Sequence, residues 1–311
     1  MSDLPTMVRI CEEGPREGFQ SEPAGIATSS KAELIDALAE TGLKDIACCS
    51  FVNPDQVPQM SDAEAIVAGI SKRLDVRYTG LWLNRNGFAR ARQTQLDLTG
   101  LVVASASESF AIKNNRRDRL GMIASQNELM ADYQIAGVSH HAAYVFTAFG
   151  CNFEGEIAAA LAIRSVEDLL DIVADPEVVY LCDTIGSATP PMVERLVGEV
   201  RNRWPHLPLG LHLHDTRGLG IANAMTGLQL GVSRFDTSIG GLGGCPFAGN
   251  RAAAGNLCTE DFAYLCAEMG IDTGLDLARL VEAAALAERI VGHSLPGKVR
   301  QAGPRPRVAS I

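Results

Sequence analysis

Two histidines one residue apart, in Leu211-His212-Leu213-His214-Asp215-Thr216, are the side chains whose type and spacing first suggest a reaction centre. If the run is a strand, its side chains alternate, and His212 and His214 share one face. Two imidazoles on one face can bind one divalent metal. A lone H-x-H is as readily satisfied by neighbouring backbone, so its company decides. Gly14-Pro15-Arg16-Glu17-Gly18-Phe19-Gln20 forms a tight turn that would present Arg16 and Glu17 together. The carboxylate of Glu17 can complete an oxygen/nitrogen metal site, and the guanidinium of Arg16 can stabilise negative charge developing on an oxygen. The bland alternative is an exposed Arg–Glu pair. Gly240-Gly241-Leu242-Gly243-Gly244-Cys245-Pro246 reads as a mobile glycine loop, with Cys245 at its tip able to close over a substrate as an acid or base. Asn256 can offer an oxygen ligand. No G-K-[ST] follows the glycines, which argues against a phosphate loop. Asp183, in Cys182-Asp183-Thr184-Ile185-Gly186, suits a proton network and a turn or helix start equally.

These residues need a scaffold that gathers them. Eight short β-like runs recur, at 7–11, 44–48, 77–83, 101–105, 142–146, 178–182, 210–214 and 234–239, with amphipathic or Ala/Leu-rich segments between them. Gly42, Gly137 and Gly231 punctuate the step from helix to next strand, as helix C-caps do. Strand–helix alternation implies a parallel sheet, and eight units in this length predict a (β/α)8 TIM barrel. A doubly wound open sheet is the runner-up. In a barrel the C-terminal strand ends carry the chemistry, and the candidate residues all follow β-like runs. No Pro- or Ser-rich linker divides the chain. The expected organisation over 1–311 is therefore a single catalytic domain, with the barrel at about 7–270 and a C-terminal helix and tail at about 271–311.

Composition narrows the partners. The chain has 311 residues with 27 Lys and Arg against 37 Asp and Glu, a net charge of -10, so a broad nucleic-acid footprint is not expected. No apolar run reaches the ~18 residues of a membrane span, and the N-terminus lacks the pattern of a signal peptide. Eight scattered cysteines without a CxxC pair read as reduced thiols of a cytoplasmic protein.

Read in order, these motifs resemble the 3-hydroxy-3-methylglutaryl-CoA (HMG-CoA) lyase family of the DRE-TIM metallolyases. Ser50-Phe51-Val52-Asn53-Pro54, Val57-Pro58-Gln59-Met60, Ala106-Ser107-Glu108-Ser109-Phe110 and Gly255-Asn256-Leu257 extend the likeness to roughly Val8–Ala302. The resemblance implies a barrel with Mg²⁺ or Mn²⁺ at its mouth, and retro-Claisen cleavage of a 3-hydroxyacyl-CoA into acetyl-CoA and a keto acid. CoA then enters as part of the substrate. By motif, Glu17, His212, His214 and Asn256 would hold the metal. Arg16 would stabilise the enolate, Cys245 would help protonate it, and Asp183 would belong to the same polar network. A homodimer is the family-based expectation. The basic stretch Lys113–Arg119 could meet the CoA phosphates locally despite the acidic chain.

The sequence departs from the family pattern in three places. Glu17 stands where Asp is usual. Ala47 stands where the family has Glu, in Ala47-Cys48-Cys49-Ser50-Phe51, and its small side chain could leave room for the longer Glu17 or admit a different substrate. The segment from Cys245 to Asn256 is two residues longer than usual, around Asn250 and Arg251. A related hydroxyacyl-CoA, a Claisen-condensing synthase of the same superfamily and an inactive barrel are the competing readings.

Overall fold

The computed structural model describes residues 4–243 and 255–305, so Cys245, Asn250 and Arg251 lie outside the described residues. Eight parallel strands form the interior: β1 (Arg9–Glu12), β2 (Asp45–Ser50), β3 (Arg77–Leu81), β4 (Gly100–Ser105), β5 (His141–Phe146), β6 (Val178–Cys182), β7 (Leu209–His212) and β8 (Arg234–Thr237). Each falls on a run expected from the sequence, its ends shifted by two residues at most. The hydrogen-bonded order is β3-β2-β1-β8-β7-β6-β5-β4, so β1 joins β8 and the sheet curls almost fully round. The remaining seam, between β3 and β4, is stitched by the segment that leads into β4. There the backbone N–H of Asp97 donates to Tyr78 O at 2.8 Å, and the N–H of Tyr78 donates to Asp97 Oδ2 at 2.8 Å. This is the (β/α)8 barrel, not the open sheet.

The surrounding helices are α1 (Thr28–Ala39), α2 (Ala63–Gly69), α3 (Arg85–Ala91), α4 (Glu108–Asn115), α5 (Arg119–Ala136), α6 (Ala159–Ile172), α7 (Pro190–Arg203), α8 (Gly220–Gln229) and α9 (Thr259–Glu268). Their sequences explain their limits. In α5, Asp118 caps the N-terminus by accepting from Gly121 N, and Gly137 ends it at φ 71°, a conformation costly for any residue with a Cβ. In α1, Leu34, Ile35 and Leu38 recur at helical spacing and are fully buried against the barrel. Burying each is worth ~1.5–3 kcal/mol. Beside the seam, Trp82 and Phe88 each pack edge to face with Tyr133, and the Trp82 indole N–H donates to the Tyr133 hydroxyl at 2.6 Å. No helix among the described residues is long and apolar enough to cross a membrane.

Beyond the barrel, α10 (Leu277–Val291) and the short α11 (Val299–Ala302) pack back onto it. The tail begins in tight contact. Gly297 N–H donates to Gly240 O at 3.0 Å, and Val299 N–H donates to Asp261 Oδ1 at 2.7 Å. Leu295 is 3% exposed and lies under Gly240, where an added Cβ would come within 2.6 Å of it.

Candidate active site

Glu13–Gly18 leaves β1 as a single wide helical turn. The Glu13 carbonyl accepts from the N–H groups of Arg16, Glu17 and Gly18. Such wide turns recur at functional sites. The Glu12 carboxylate ties this turn down. It accepts from Gly14 N at 2.7 Å, from Ile239 N at 2.8 Å and from the Thr259 hydroxyl at 2.6 Å. A side chain at Gly14 would bring its Cβ to 2.6 Å from that same Glu12 oxygen, so only glycine fits. The turn therefore holds Arg16 and Glu17 inward over the end of β1.

His212 ends β7, and His214 lies two residues on. The strand-like segment 255–258 crosses this end: Leu257 N–H donates to Leu213 O at 2.9 Å, and His214 pairs with Asn256. Three of the expected ligand residues converge here. Glu17 Oε1 is 3.1 Å from His214 Nε2 and 3.6 Å from His212 Nε2, and the two imidazole Nε2 atoms are 3.3 Å apart. Ligands at right angles around an ion with bonds of ~2.1 Å stand ~3 Å apart, so the cluster is already near the spacing of a small divalent ion. Asn256 is 1% exposed, and neither of its amide atoms has a hydrogen-bond partner among the described residues. Leaving a buried amide unpaired is costly, and a cation beside its oxygen would remove that cost. The residues present thus fit a metal.

Behind the histidines lies a partner the sequence reading missed. Asp236 on β8 is in register with His212 and fully buried, and its Oδ2 is 3.1 Å from His212 Nδ1. A carboxylate on the far nitrogen directs Nε2 toward the cluster and raises its basicity. Burial works against charge on His212, but Glu17 and Asp236 overcome it and hold the ring up to about 10. Burial likewise opposes ionisation of Glu17, yet His212 and Arg16 hold its carboxyl well below the usual range.

Arg16 sits between two carboxylates. Its Nη2 is 2.6 Å from Glu13 Oε2, and its Nη1 is 2.9 Å from Glu17 Oε2. Those neighbours keep the guanidinium charged in spite of burial. Burial pushes Glu13 up to about 7, against the pull of Arg16. Asp183 is buried at the end of β6. Its Oδ1 accepts from Ser187 N at 2.8 Å and Ala188 N at 3.1 Å, which is the turn role, while burial raises its pKa.

Glu13, Arg16, Glu17, His212 and His214 open on a cavity of about 530 Å³ in the barrel interior. Arg16, Glu17 and His214 line its mouth and Ala47, Thr79 and Tyr144 its walls. That volume suits a drug-sized ligand. Asn114 and Asn115 from the basic stretch reach the cavity. Arg119 does not serve it as a free charge, because Asp168 pairs with it. Lys113 lies over the Phe153 ring at 3.7 Å from its centroid.

A (β/α)8 barrel with an Arg–Glu turn after its first strand and a His-x-His pair at the end of its seventh is the arrangement that the sequence resemblance to the DRE-TIM metallolyases implies. Comparison with known proteins narrows it. A model of the HMGL-like family matches residues 7–287. The hydroxymethylglutaryl-CoA lyase of Bacillus subtilis is 37% identical over 294 residues, covering 94% of this chain and 96% of that protein. The mitochondrial hydroxymethylglutaryl-CoA lyase of Bos taurus is 37% identical, covering 96% and 90%. A crystal structure of the Bacillus subtilis HMG-CoA lyase superposes with a TM-score of 0.91 at 36% identity, over 96% of this chain and 98% of that one. An HMG-CoA lyase from Acinetobacter baumannii, in complex with coenzyme A and 3-methylmalate, superposes with a TM-score of 0.89 at 35% identity over 100% of both chains. The protein belongs to the HMG-CoA lyase family.

Proposed function

We propose that this protein cleaves 3-hydroxy-3-methylglutaryl-CoA, or a closely related 3-hydroxyacyl-CoA, into acetyl-CoA and a keto acid with Mg²⁺ or Mn²⁺. The observation that carries the reading is the convergence of Glu17, His212 and His214 beside Arg16 at the mouth of a ligand-sized cavity. A divalent ion held by these three residues and Asn256 would supply Lewis acidity toward the substrate's hydroxyl oxygen. Transfer of the alcohol proton to the polar network around Asp183 lets the C–C bond break, forming the ketone and leaving an enolate on the acetyl-CoA side. Arg16 supplies fixed positive charge where that enolate oxygen develops. Cys245, on the glycine loop, is the proton donor to the enolate carbon. Asp183 orients the polar network at the end of β6.

The structure of the Acinetobacter baumannii relative, with its coenzyme A and 3-methylmalate, supports a site of this kind taking CoA beside a hydroxy diacid. A homodimer in the cytoplasm completes the reading. Its test is acetyl-CoA release from a panel of 3-hydroxyacyl-CoA thioesters with each metal. Turnover of at least one member with a metal requirement is the expected result. No turnover of any member, together with no metal-dependent thermal shift, overturns it.

A further inference from the structure

Glu13 belongs to none of the motifs that mark the site in the sequence, yet it holds the site's arginine. Its side chain is 4% exposed, and its Oε2 accepts from Arg16 Nε at 2.7 Å while lying 2.6 Å from Nη2. The third guanidinium nitrogen, Nη1, faces Glu17. The flat fork is thus held along one edge by Glu13 and at its other tip by the metal-side carboxylate, and this fixes its plane. Glu13 is not one of the residues gathered with Glu17, His212 and His214, so its carboxyl faces Arg16 from outside that cluster. Without it, Glu17 alone would have to serve both the guanidinium and the ion.

The strand register identifies what Glu13 replaces. On β1 and β2, Cys11 pairs with Asp45 and Glu12 with Ile46, and Glu13 and Ala47 are the residues that follow the last of these pairs along the two segments. Both line the same cavity as Arg16. The family pattern has a carboxylate at position 47, where this chain has a methyl group.

We propose that Glu13 is the positioning residue for Arg16, supplying from β1 the carboxylate that the family pattern places on β2 at position 47. Ala47 is then one half of an exchange between adjacent strands, and not the sign of a decayed site. This rests on the reading that Arg16 stabilises the enolate.

The experiment compares the parent with Glu13→Gln, Glu13→Val and the double variant Glu13→Val/Ala47→Glu. Steady-state kinetics are run on the best thioester of the panel. The ¹H–¹⁵N signal of Arg16 Nε, assigned by its loss in Arg16→Lys, is followed in parallel. A misplaced catalytic group costs on the order of 100-fold in rate, so Glu13→Val is expected to lower kcat by about that factor with KM changed less than about threefold. The double variant is expected to recover at least about tenfold of the loss, and to restore an Arg16 Nε–H signal that exchanges rapidly in Glu13→Val. A metal-dependent thermal shift shows which variants are folded and loaded. If Glu13→Val does not fold, Glu13→Gln and the charge-conserving double variant decide. Parent-like kcat in Glu13→Gln or Glu13→Val overturns the proposal, as does a double variant no better than Glu13→Val in both kinetics and the Nε–H signal. If the parent turns over no thioester, the functional reading fails, and the Nε–H signal alone decides whether Glu13 holds Arg16.

Discussion

Asp236 Oδ2 stands 3.1 Å from His212 Nδ1, carboxylate and imidazole coming from neighbouring strands in direct register. The contact fixes which imidazole nitrogen meets Glu17 and His214. Removing such an outer partner costs about 10–100-fold in metal affinity. Asp236→Ala should weaken Mn²⁺ binding by that factor in calorimetric titration while the circular dichroism spectrum stays that of the parent. Unchanged affinity would show that Asp236 is packing alone.

Metal uptake should expel a proton. With its pKa held up to about 10 by Glu17 and Asp236, His212 is cationic at neutral pH, and only the neutral ring can take a metal. Apparent affinity should therefore rise with pH through the neutral range and level off as the ring's own pKa is passed. Calorimetry at pH 7 in two buffers of different ionisation enthalpy should report about one proton released per ion. Zero release would mean that His212 is neutral before the metal arrives.

Arg16→Met should fold and keep its metal-dependent thermal shift, because Glu17 and both histidines remain. The chemical step should slow by roughly 10²–10³-fold, the usual cost of losing one group that meets developing negative charge. Near-normal single-turnover rates would refute that role.

Glu12→Ala should destabilise the fold by roughly 3 kcal/mol or more. It strands the buried N–H groups of Gly14 and Ile239, each unsatisfied group costing about 1–3 kcal/mol, and leaves the Thr259 hydroxyl with Thr237 as its one remaining side-chain partner among the described residues. Urea unfolding of the parent and variant measures it. A difference under about 0.5 kcal/mol, the size of an ordinary surface change, would show that the three donors find other partners.

Much of this was legible in the sequence because it is written locally. A β-run reveals itself by its own residues, and alternation alone puts His212 and His214 on one face. The turn holding Arg16 and Glu17 announces itself through its glycines and proline. Asp236, Glu13 and Glu12 were not legible. A carboxylate's meaning depends on what the adjacent strand brings beside it, and β1 meets β8 only when the barrel closes across most of the chain. Ala47 illustrates the same limit from the other side. Alone it reads as a lost carboxylate or as room for the longer Glu17. On the proposal that Glu13 holds Arg16, it becomes the vacated position of a carboxyl supplied from the neighbouring strand. Asp183, equally suited by sequence to a proton network and a turn, shows two backbone N–H groups on one oxygen, while its other oxygen is buried without a partner among the described residues.

Leu295, Gly297 and Val299 lie against Gly240 and Asp261, one helix beyond the barrel proper. The polypeptide thus returns, long after its last strand, to moor Gly240 and Gly241 at the end of β8. Trimming the chain at residue 294 would cut that mooring while leaving every strand and every ligand residue intact. A chain shortened there should keep the cluster of Glu17, His212 and His214 yet lose the contacts that hold Gly240 and Asp261 in place.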